Sequence, residues 1–129
     1  MAGITFDTGA LIALEARRLA IRKVFHTAVA QGVLITVPAV VVTEWWRAGA
    51  REKQRAELLR ATFVEDLDKH LAILAGGALG TVRGATPIDA IVMASAALRG
   101  DTVYTSDPRD LEALRRGVPA FAAVQVVRV

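Results

Sequence analysis

The feature that most constrains this chain is a continuous apolar run rich in β-branched residues, Val33-Leu34-Ile35-Thr36-Val37. A strand with one face in water alternates apolar and polar side chains, and this run does not. It therefore predicts a strand buried on both faces, as in a parallel sheet covered by helices on each side. The longer apolar stretch 33–42 is too short to span a bilayer and contains Pro38, so we expect no membrane segment.

Segments with strand character alternate with helical segments along the rest of the chain. The predicted strands are 4–6, 33–37, 62–65, 102–105 and 124–127. The predicted helices are 9 to about 30 with a break near Ala16, one from Pro38 through Glu44 to Trp46, 50–60, one capped by Asp66 or Asp68, 86 to about 100, and 108–116, with 76–85 a glycine-rich loop. This alternation predicts a single α/β domain, 1–129, with three layers and a central, mainly parallel β-sheet flanked by helices.

Composition narrows the classes of function. The chain of 129 residues has no cysteine, which excludes disulfides, thiolate zinc sites and cysteine nucleophiles. The first residues carry no basic segment followed by a long apolar run, so we expect a cytoplasmic protein without a secretory signal. Sixteen Lys and Arg against 13 Asp and Glu leave a net charge of +3, which permits a polyanionic partner.

Two aspartates follow predicted strands. Asp7 comes directly after the first strand and Asp107 comes just after the fourth. Open parallel sheets bind ligands beyond the carboxyl ends of their strands, so both carboxylates are candidates for a shared site. The alternative is that each of them only caps a helix, since Asp is favoured there.

Two further acids lie on apolar helices. Glu44 is surrounded by Val40-Val41-Val42-Thr43 and Trp45-Trp46, where a buried carboxylate without a partner would be costly. The alternative is that Glu44 lies on the water-facing edge of an amphipathic helix. Asp89 stands three residues after Thr86 in a capping-box pattern and opens an apolar helix, so capping and function are compatible there. Four carboxylates in one crevice would repel each other unless a divalent cation neutralised them, and all-oxygen ligands favour Mg²⁺ or Mn²⁺ over zinc.

With these residues in place, the sequence resembles a PIN domain of the VapC-type toxin branch, of type II toxin–antitoxin systems. The segments that carry the resemblance are Phe6-Asp7-Thr8-Gly9-Ala10-Leu11, Thr43-Glu44, Asp89-Ala90-Ile91-Val92-Met93-Ala94 and Thr105-Ser106-Asp107-Pro108-Arg109-Asp110-Leu111. The resemblance implies an endoribonuclease dependent on Mg²⁺ or Mn²⁺, inhibited by a small antitoxin protein and assembled as a homodimer. It implies catalytic and metal-binding roles for Asp7, Glu44, Asp89 and Asp107, and supporting roles for Thr105 and Asp110.

Arginines and tryptophans supply candidate contacts to partners. Residues 47, 51 and 55 recur at helical spacing and a second cluster follows Asp7, which together suggest RNA-backbone contacts from Arg47, Arg51, Arg55, Arg17, Arg18 and Arg22. The alternative is a solvated helix face, because acidic residues interleave with the first group. Trp45 and Trp46 are candidate anchors for the antitoxin, and the alternative is that both rings lie in the core.

Other functions remain open on the sequence. A phosphoacceptor signalling domain shares this architecture, but it would need adjacent acids after the first strand and a lysine near the last one. Here Asp7 is followed by Thr8, and the last lysine is Lys69. A non-catalytic binding module, and a PIN-type nuclease that processes ribosomal RNA, are the remaining alternatives.

Overall fold

A computed structural model of the chain describes residues 2–49 and 51–129. Its strands are β1 (Ile4–Phe6), β2 (Ile35–Pro38), β3 (Phe63–Glu65), β4 (Thr102–Thr105) and β5 (Gln125–Arg128). They form one sheet in the order β3-β2-β1-β4-β5, and every neighbouring pair is parallel. The predicted α/β class is confirmed, and the sheet is parallel throughout rather than mainly so.

Helices connect the strands. They are α1 (Thr8–Glu15), α2 (Leu19–Gln31), α3 (Ala39–Trp45), α4 (Glu52–Arg60), α5 (Lys69–Thr81), α6 (Pro87–Arg99) and α7 (Arg109–Gly117), with a 3₁₀ turn at Pro119–Phe121. In the part of the chain that the structure describes, no helix combines the length and apolar character that crossing a membrane requires.

The core lies between the sheet and the helices that cover it. The central side chains of β1, β2 and β4, namely Phe6, Val37 and Val103, have no exposed surface. On α6, every residue from Ala90 to Ala96 is buried, as its almost wholly apolar sequence predicts. This helix is therefore fixed by its buried face, and its first turn lies at the edge of the sheet where β1 and β4 end.

The predicted break in the first helix is confirmed. Helix α1 ends at Glu15, and Arg17 adopts a left-handed backbone with φ of 59°. The Arg17 N–H donates to the Leu14 carbonyl at 3.0 Å, and the Arg18 N–H donates to the Ala13 carbonyl at 3.0 Å. These bonds satisfy carbonyls at the end of α1 and turn the chain into α2.

The prediction of a loop at 76–85 is wrong over its first part, because α5 continues through Gly76 and Gly77 to Thr81. Leu71, Ala75 and Ala78 form a buried stripe at helical spacing. Burial of this stripe offsets the cost of the glycines, which is about 1 kcal/mol for each glycine relative to alanine. Packing therefore overrides local propensity in this helix.

The strand order creates one reversal in the sheet. From β1 the chain moves to β2 and β3 on one side, and it then crosses to β4 and β5 on the other side of β1. Such a reversal leaves a crevice beyond the carboxyl ends of β1 and β4, which is where open parallel sheets bind ligands. Residues that follow β1 and β4, and the first turn of α6, meet at this crevice.

Candidate active site

A cavity of about 180 Å³ opens at this crevice. Its lining residues are Asp7, Thr8, Gly9, Glu44, Ile88, Asp89, Thr105, Ser106, Asp107 and Asp110. The structure thus brings together all four acids that the sequence singled out, and both residues expected to support them. They come from the residue that caps α1, from α3 and α6, and from the segment that runs from the end of β4 to the start of α7.

Asp7 is the most buried of these acids, with 9% of its surface exposed. It caps α1, because its Oδ1 accepts a hydrogen bond of 2.9 Å from the Ala10 N–H. Burial raises the pKa of Asp7. The Thr105 hydroxyl and the Ala10 N–H oppose that rise, and the Asp89 and Glu44 carboxylates add to it. Asp7 is therefore fixed in direction by its cap and is costly to ionise.

Asp89 occupies the first turn of α6. Its backbone N–H donates to the Thr86 hydroxyl at 3.2 Å, which confirms the predicted cap. Burial raises the pKa of Asp89, the Thr86 hydroxyl opposes the rise, and three nearby carboxylates add to it, those of Asp110, Glu44 and Asp107. Mutual repulsion among the acids is thus part of the electrostatics of this cavity.

Glu44 is exposed, so the prediction that its apolar neighbours in sequence bury it is wrong. Helix α3 is amphipathic: Val41 and Trp45 face the core, and Glu44 lies on the other face. The carboxylate still lines the cavity, and its Oε1 accepts a hydrogen bond from the Thr8 hydroxyl. Thr8 therefore joins α3 to α1 at the cavity, a role that nothing in the sequence pattern indicated.

Thr105 is the last residue of β4, and Asp107 lies in the turn that follows it. Thr105 is 1% exposed, and its Oγ1 accepts a 3.2 Å hydrogen bond from the Asp107 N–H. The side chain of Asp107 is 63% exposed, and Asp110 is exposed as well. The buried threonine thus anchors a short turn that presents two acids at the mouth of the cavity.

Gly9 sets the distance between α1 and this turn. A Cβ atom at Gly9 would lie 2.2 Å from the Ser106 Oγ and 3.2 Å from the Ser106 backbone nitrogen. Only a glycine lets the helix and the turn approach so closely. The sequence showed a small residue after Asp7, but the contact that requires it depends on the tertiary fold.

The donor set suits a hard divalent cation. Every charged side chain of the lining is a carboxylate, and oxygen ligands are what Mg²⁺ and Mn²⁺ prefer. Among residues 2–49 and 51–129, no three Asp, Glu or His side chains are grouped closely enough to hold one metal ion. Mg²⁺ commonly takes one or two carboxylates and keeps several waters, so the arrangement fits that mode rather than a closed protein cage.

The helical stripe predicted from Arg47, Arg51 and Arg55 is wrong, because α3 ends at Trp45 and α4 begins at Glu52. Arg47 donates to the Trp46 carbonyl at 2.6 Å. Arg55 donates to Glu15 at 2.5 and 3.1 Å and leaves only 14% of its side chain exposed. Arg55 therefore fastens α4 to α1, and it is not a free contact for RNA.

The remaining arginines of the prediction lie away from the cavity lining. Arg51 donates to Glu15 at 3.2 Å and is 67% exposed. Arg17, Arg18 and Arg22 are exposed at the junction of α1 and α2. The structure leaves their proposed contacts with RNA as a prediction.

The two tryptophans differ in environment. Trp45 is 3% exposed, and its ring packs under the Arg55 guanidinium at 5.2 Å, so it belongs to the core and the expectation that it anchors a partner is wrong. Trp46 follows α3 and is only partly buried. It is the tryptophan with surface left for a partner.

Comparison with known proteins reveals likeness of fold. No protein-family model matches the chain, and no curated protein matches its sequence. Among solved structures, the chain is similar over 99% of its length to 98% of a chain in DNA-bound VapBC from Salmonella typhimurium, with a TM-score of 0.76 and 18% identity. A toxin–antitoxin complex from Klebsiella pneumoniae aligns over 97% of this chain and 96% of its own, with a TM-score of 0.69 and 17% identity.

A third structure, of FitAB bound to an IR36 DNA fragment, aligns over 97% of this chain and 94% of its own. Its TM-score is 0.62 and its identity is 19%. At identities this low, the structural likeness establishes a shared architecture alone. The expected PIN-like three-layer fold is thereby confirmed over nearly the whole chain.

Proposed function

We propose that this protein is a metal-dependent endoribonuclease that hydrolyses RNA phosphodiester bonds and serves as the toxin of a toxin–antitoxin pair. The observation that carries the proposal is the cavity at the sheet reversal, where Asp7, Glu44, Asp89 and Asp107 converge from four separate parts of the chain. Burial and the neighbouring carboxylates raise the pKa of Asp7 and of Asp89, which is unfavourable for stability and favours a functional explanation.

The carboxylates of the cavity would have different catalytic roles, according to how firmly each side chain is held. Asp7 is oriented by the Ala10 N–H and is the best-fixed ligand for a divalent cation. A bound cation would polarise the phosphate and make a water molecule more acidic. Asp89, half-buried with a raised pKa, is suited to accept a proton from water. Asp107 is exposed and can adjust as a substrate enters.

The toxin role and its partner are proposed from the likeness of fold. The neighbours include a toxin–antitoxin complex, which aligns over 97% of this chain. A small antitoxin would pack beside α3 at Trp46 and place a basic side chain among the carboxylates. That charge would relieve the repulsion in the cavity without supplying the chemistry of a metal.

A cleavage assay tests the nuclease. Purified protein should cut single-stranded RNA in Mg²⁺ or Mn²⁺, lose activity in EDTA and regain it when the metal is restored. Asp7→Asn should lower the rate at least about a hundredfold, because a ligand charge is lost. Asp66→Asn is the matched control, since Asp66 is exposed and lies outside the cavity. Cleavage that persists in EDTA would rule out the mechanism.

Expression in a bacterial host tests the toxin role separately. The wild-type chain should arrest growth, and Asp7→Asn should not. The proposal requires a small antitoxin gene beside this one, and co-expression of its product should restore growth and yield a complex that co-purifies. Trp46→Ala should weaken that complex and leave the cleavage of RNA unchanged. The purified chain could instead cleave RNA without arresting growth, and the neighbouring protein could fail to inhibit that cleavage. This pair of results would favour an RNA-processing role.

A further inference from the structure

Arg109 lies beside the acidic cavity. Its Nε is 3.7 Å from the Asp107 Oδ1, and Asp107 lines the cavity. Of the ion pairs found in residues 2–49 and 51–129, this is the one that includes a lining carboxylate. A phosphodiester approaching this cavity would therefore meet a guanidinium at its edge.

The negative charge of the cavity repels a polyanionic substrate. Five carboxylates line it, those of Asp7, Glu44, Asp89, Asp107 and Asp110, and no Lys or Arg does. A single divalent cation leaves this set negative even if two of the acids are protonated. A second source of positive charge at the mouth would therefore favour holding a phosphate close to the acids.

Arg109 is free to supply that charge. Its side chain is 88% exposed and that of Asp107 is 63% exposed, and an exposed pair at this distance contributes little to stability. Arg109 is also the first residue of α7, where a positive charge opposes the helix dipole. Neither the fold nor the helix gains from an arginine at this position.

We propose that Arg109 binds a backbone phosphate of the RNA at the mouth of the cavity, releasing its weak contact with Asp107 to do so. The planar guanidinium matches two phosphate oxygens, which positions the next phosphodiester among the carboxylates. This inference rests on the proposed function, because it assumes that RNA is the substrate. It assigns to Arg109 a substrate-binding role that lysine fills only in part.

The test measures RNA binding in the Asp7→Asn background, in which cleavage should be at least about a hundredfold slower. A labelled single-stranded RNA of mixed sequence is titrated at several salt concentrations with Asp7→Asn alone and with Arg109→Gln, Arg109→Lys or Arg116→Gln added. Arg116 is the control, because it is an exposed arginine on the same helix, seven residues from Arg109 and away from the cavity lining. Each variant's melting temperature is compared with that of its parent.

Arg109→Gln should weaken binding by roughly tenfold and lower the slope of log K against log salt by about 0.7, the value of one contact to a single strand. Arg109→Lys should keep the salt slope and lose part of the affinity. Arg116→Gln should bind as the parent does. In the cleaving enzyme, Arg109→Gln should raise KM with little change in kcat.

Equal binding by the parent and Arg109→Gln, or an equal loss in Arg116→Gln, would overturn the role of Arg109 and leave the nuclease proposal standing. Absence of RNA binding by the Asp7→Asn parent would overturn the proposed function and this inference with it. Because the Arg109 and Arg116 side chains are exposed, the folded fraction should be the same in all four proteins.

Discussion

Asp7 combines two roles that differ in what they require of its carboxylate. The cap of α1 uses Oδ1 as an acceptor for the Ala10 N–H, and a neutral amide could do the same. The candidate site needs the negative charge, which burial and the neighbouring acids disfavour. The stability of the protein and its proposed activity should therefore respond in opposite directions to the loss of this charge.

Asp7→Asn should raise the melting temperature by a few degrees near neutral pH in EDTA. Folding raises the pKa of Asp7 above its ordinary value of 3.8, so the residue favours the folded state while it is protonated. That contribution is full below the ordinary pKa and is lost as the pH rises through the raised pKa. The gain of Asp7→Asn should thus be small at acidic pH and grow toward neutral pH. A variant less stable than the wild type at neutral pH would contradict this account.

Glu15 shows the opposite behaviour. The Arg55 guanidinium bonded to Glu15 lowers the pKa of this carboxyl, and Arg51 adds to the effect. Glu15→Gln should destabilise the protein by about 2 kcal/mol at neutral pH, the usual worth of hydrogen bonds to a charged group. The difference from wild type should shrink as the pH falls through the lowered pKa, because the wild-type carboxyl is then protonated as well.

The control for Glu15 is Glu57→Gln, which removes an exposed acid from α4. Urea unfolding of both variants at neutral and acidic pH measures the difference. Equal destabilisation by Glu15→Gln at every pH would mean that its bonds to Arg55 are not what holds α4 in place.

At the scale of single elements, periodicity predicted most helices and strands. The capping box at Thr86 and the apolar faces of α6 are local signals, and both were sufficient. The continuation of α5 through Gly76 could not be predicted locally, because burial of Leu71 and Ala75 decides it. The end of α3 at Trp45 was likewise hidden, since the sequence continues with residues that a helix tolerates.

Gly76→Ala should stabilise the protein by about 1 kcal/mol, because alanine is the better helix former and the added Cβ meets no atom within 4 Å. Gly32→Ala is the contrasting control. Its Cβ is equally free of contacts, but its φ of +68° disfavours alanine, so this variant should be less stable. Thermal unfolding measures both. Destabilisation by Gly76→Ala would contradict a continuous helix α5.

Gly9→Ala should impair the candidate site through its effect on a neighbouring turn. The new Cβ would lie 2.2 Å from the Ser106 Oγ and 3.2 Å from the Ser106 backbone nitrogen, so the hydroxyl must turn away and the turn that carries Asp107 must shift by a few tenths of an ångström. We expect a loss of about 1–3 kcal/mol in stability, as in other overpacked sites, and a reduced rate of RNA cleavage. Gly77→Ala serves as the control and should keep the wild-type rate, which a cleavage assay on both proteins would establish.

At the scale of the whole molecule, the alternation of strands and helices was enough to predict a parallel sheet covered on both faces. It also predicted that Asp7 and Asp107 would meet, because both follow strands whose carboxyl ends share one edge. The exposure of Glu44 and its bond to Thr8 depend on how α3 is rotated against α1. The ion pair of Arg55 with Glu15 depends on the placement of α4, which no local pattern specifies.

The proposed chemistry depends on a single claim, that a divalent cation binds among these carboxylates. Calorimetric titration of Mn²⁺ into wild type, Asp7→Asn and Asp66→Asn tests it most directly. We predict that the wild type and Asp66→Asn bind Mn²⁺ with the same affinity, and that Asp7→Asn binds it at least about tenfold more weakly, because a charged oxygen ligand is lost. Equal binding by Asp7→Asn, or no binding by the wild type, would contradict the account.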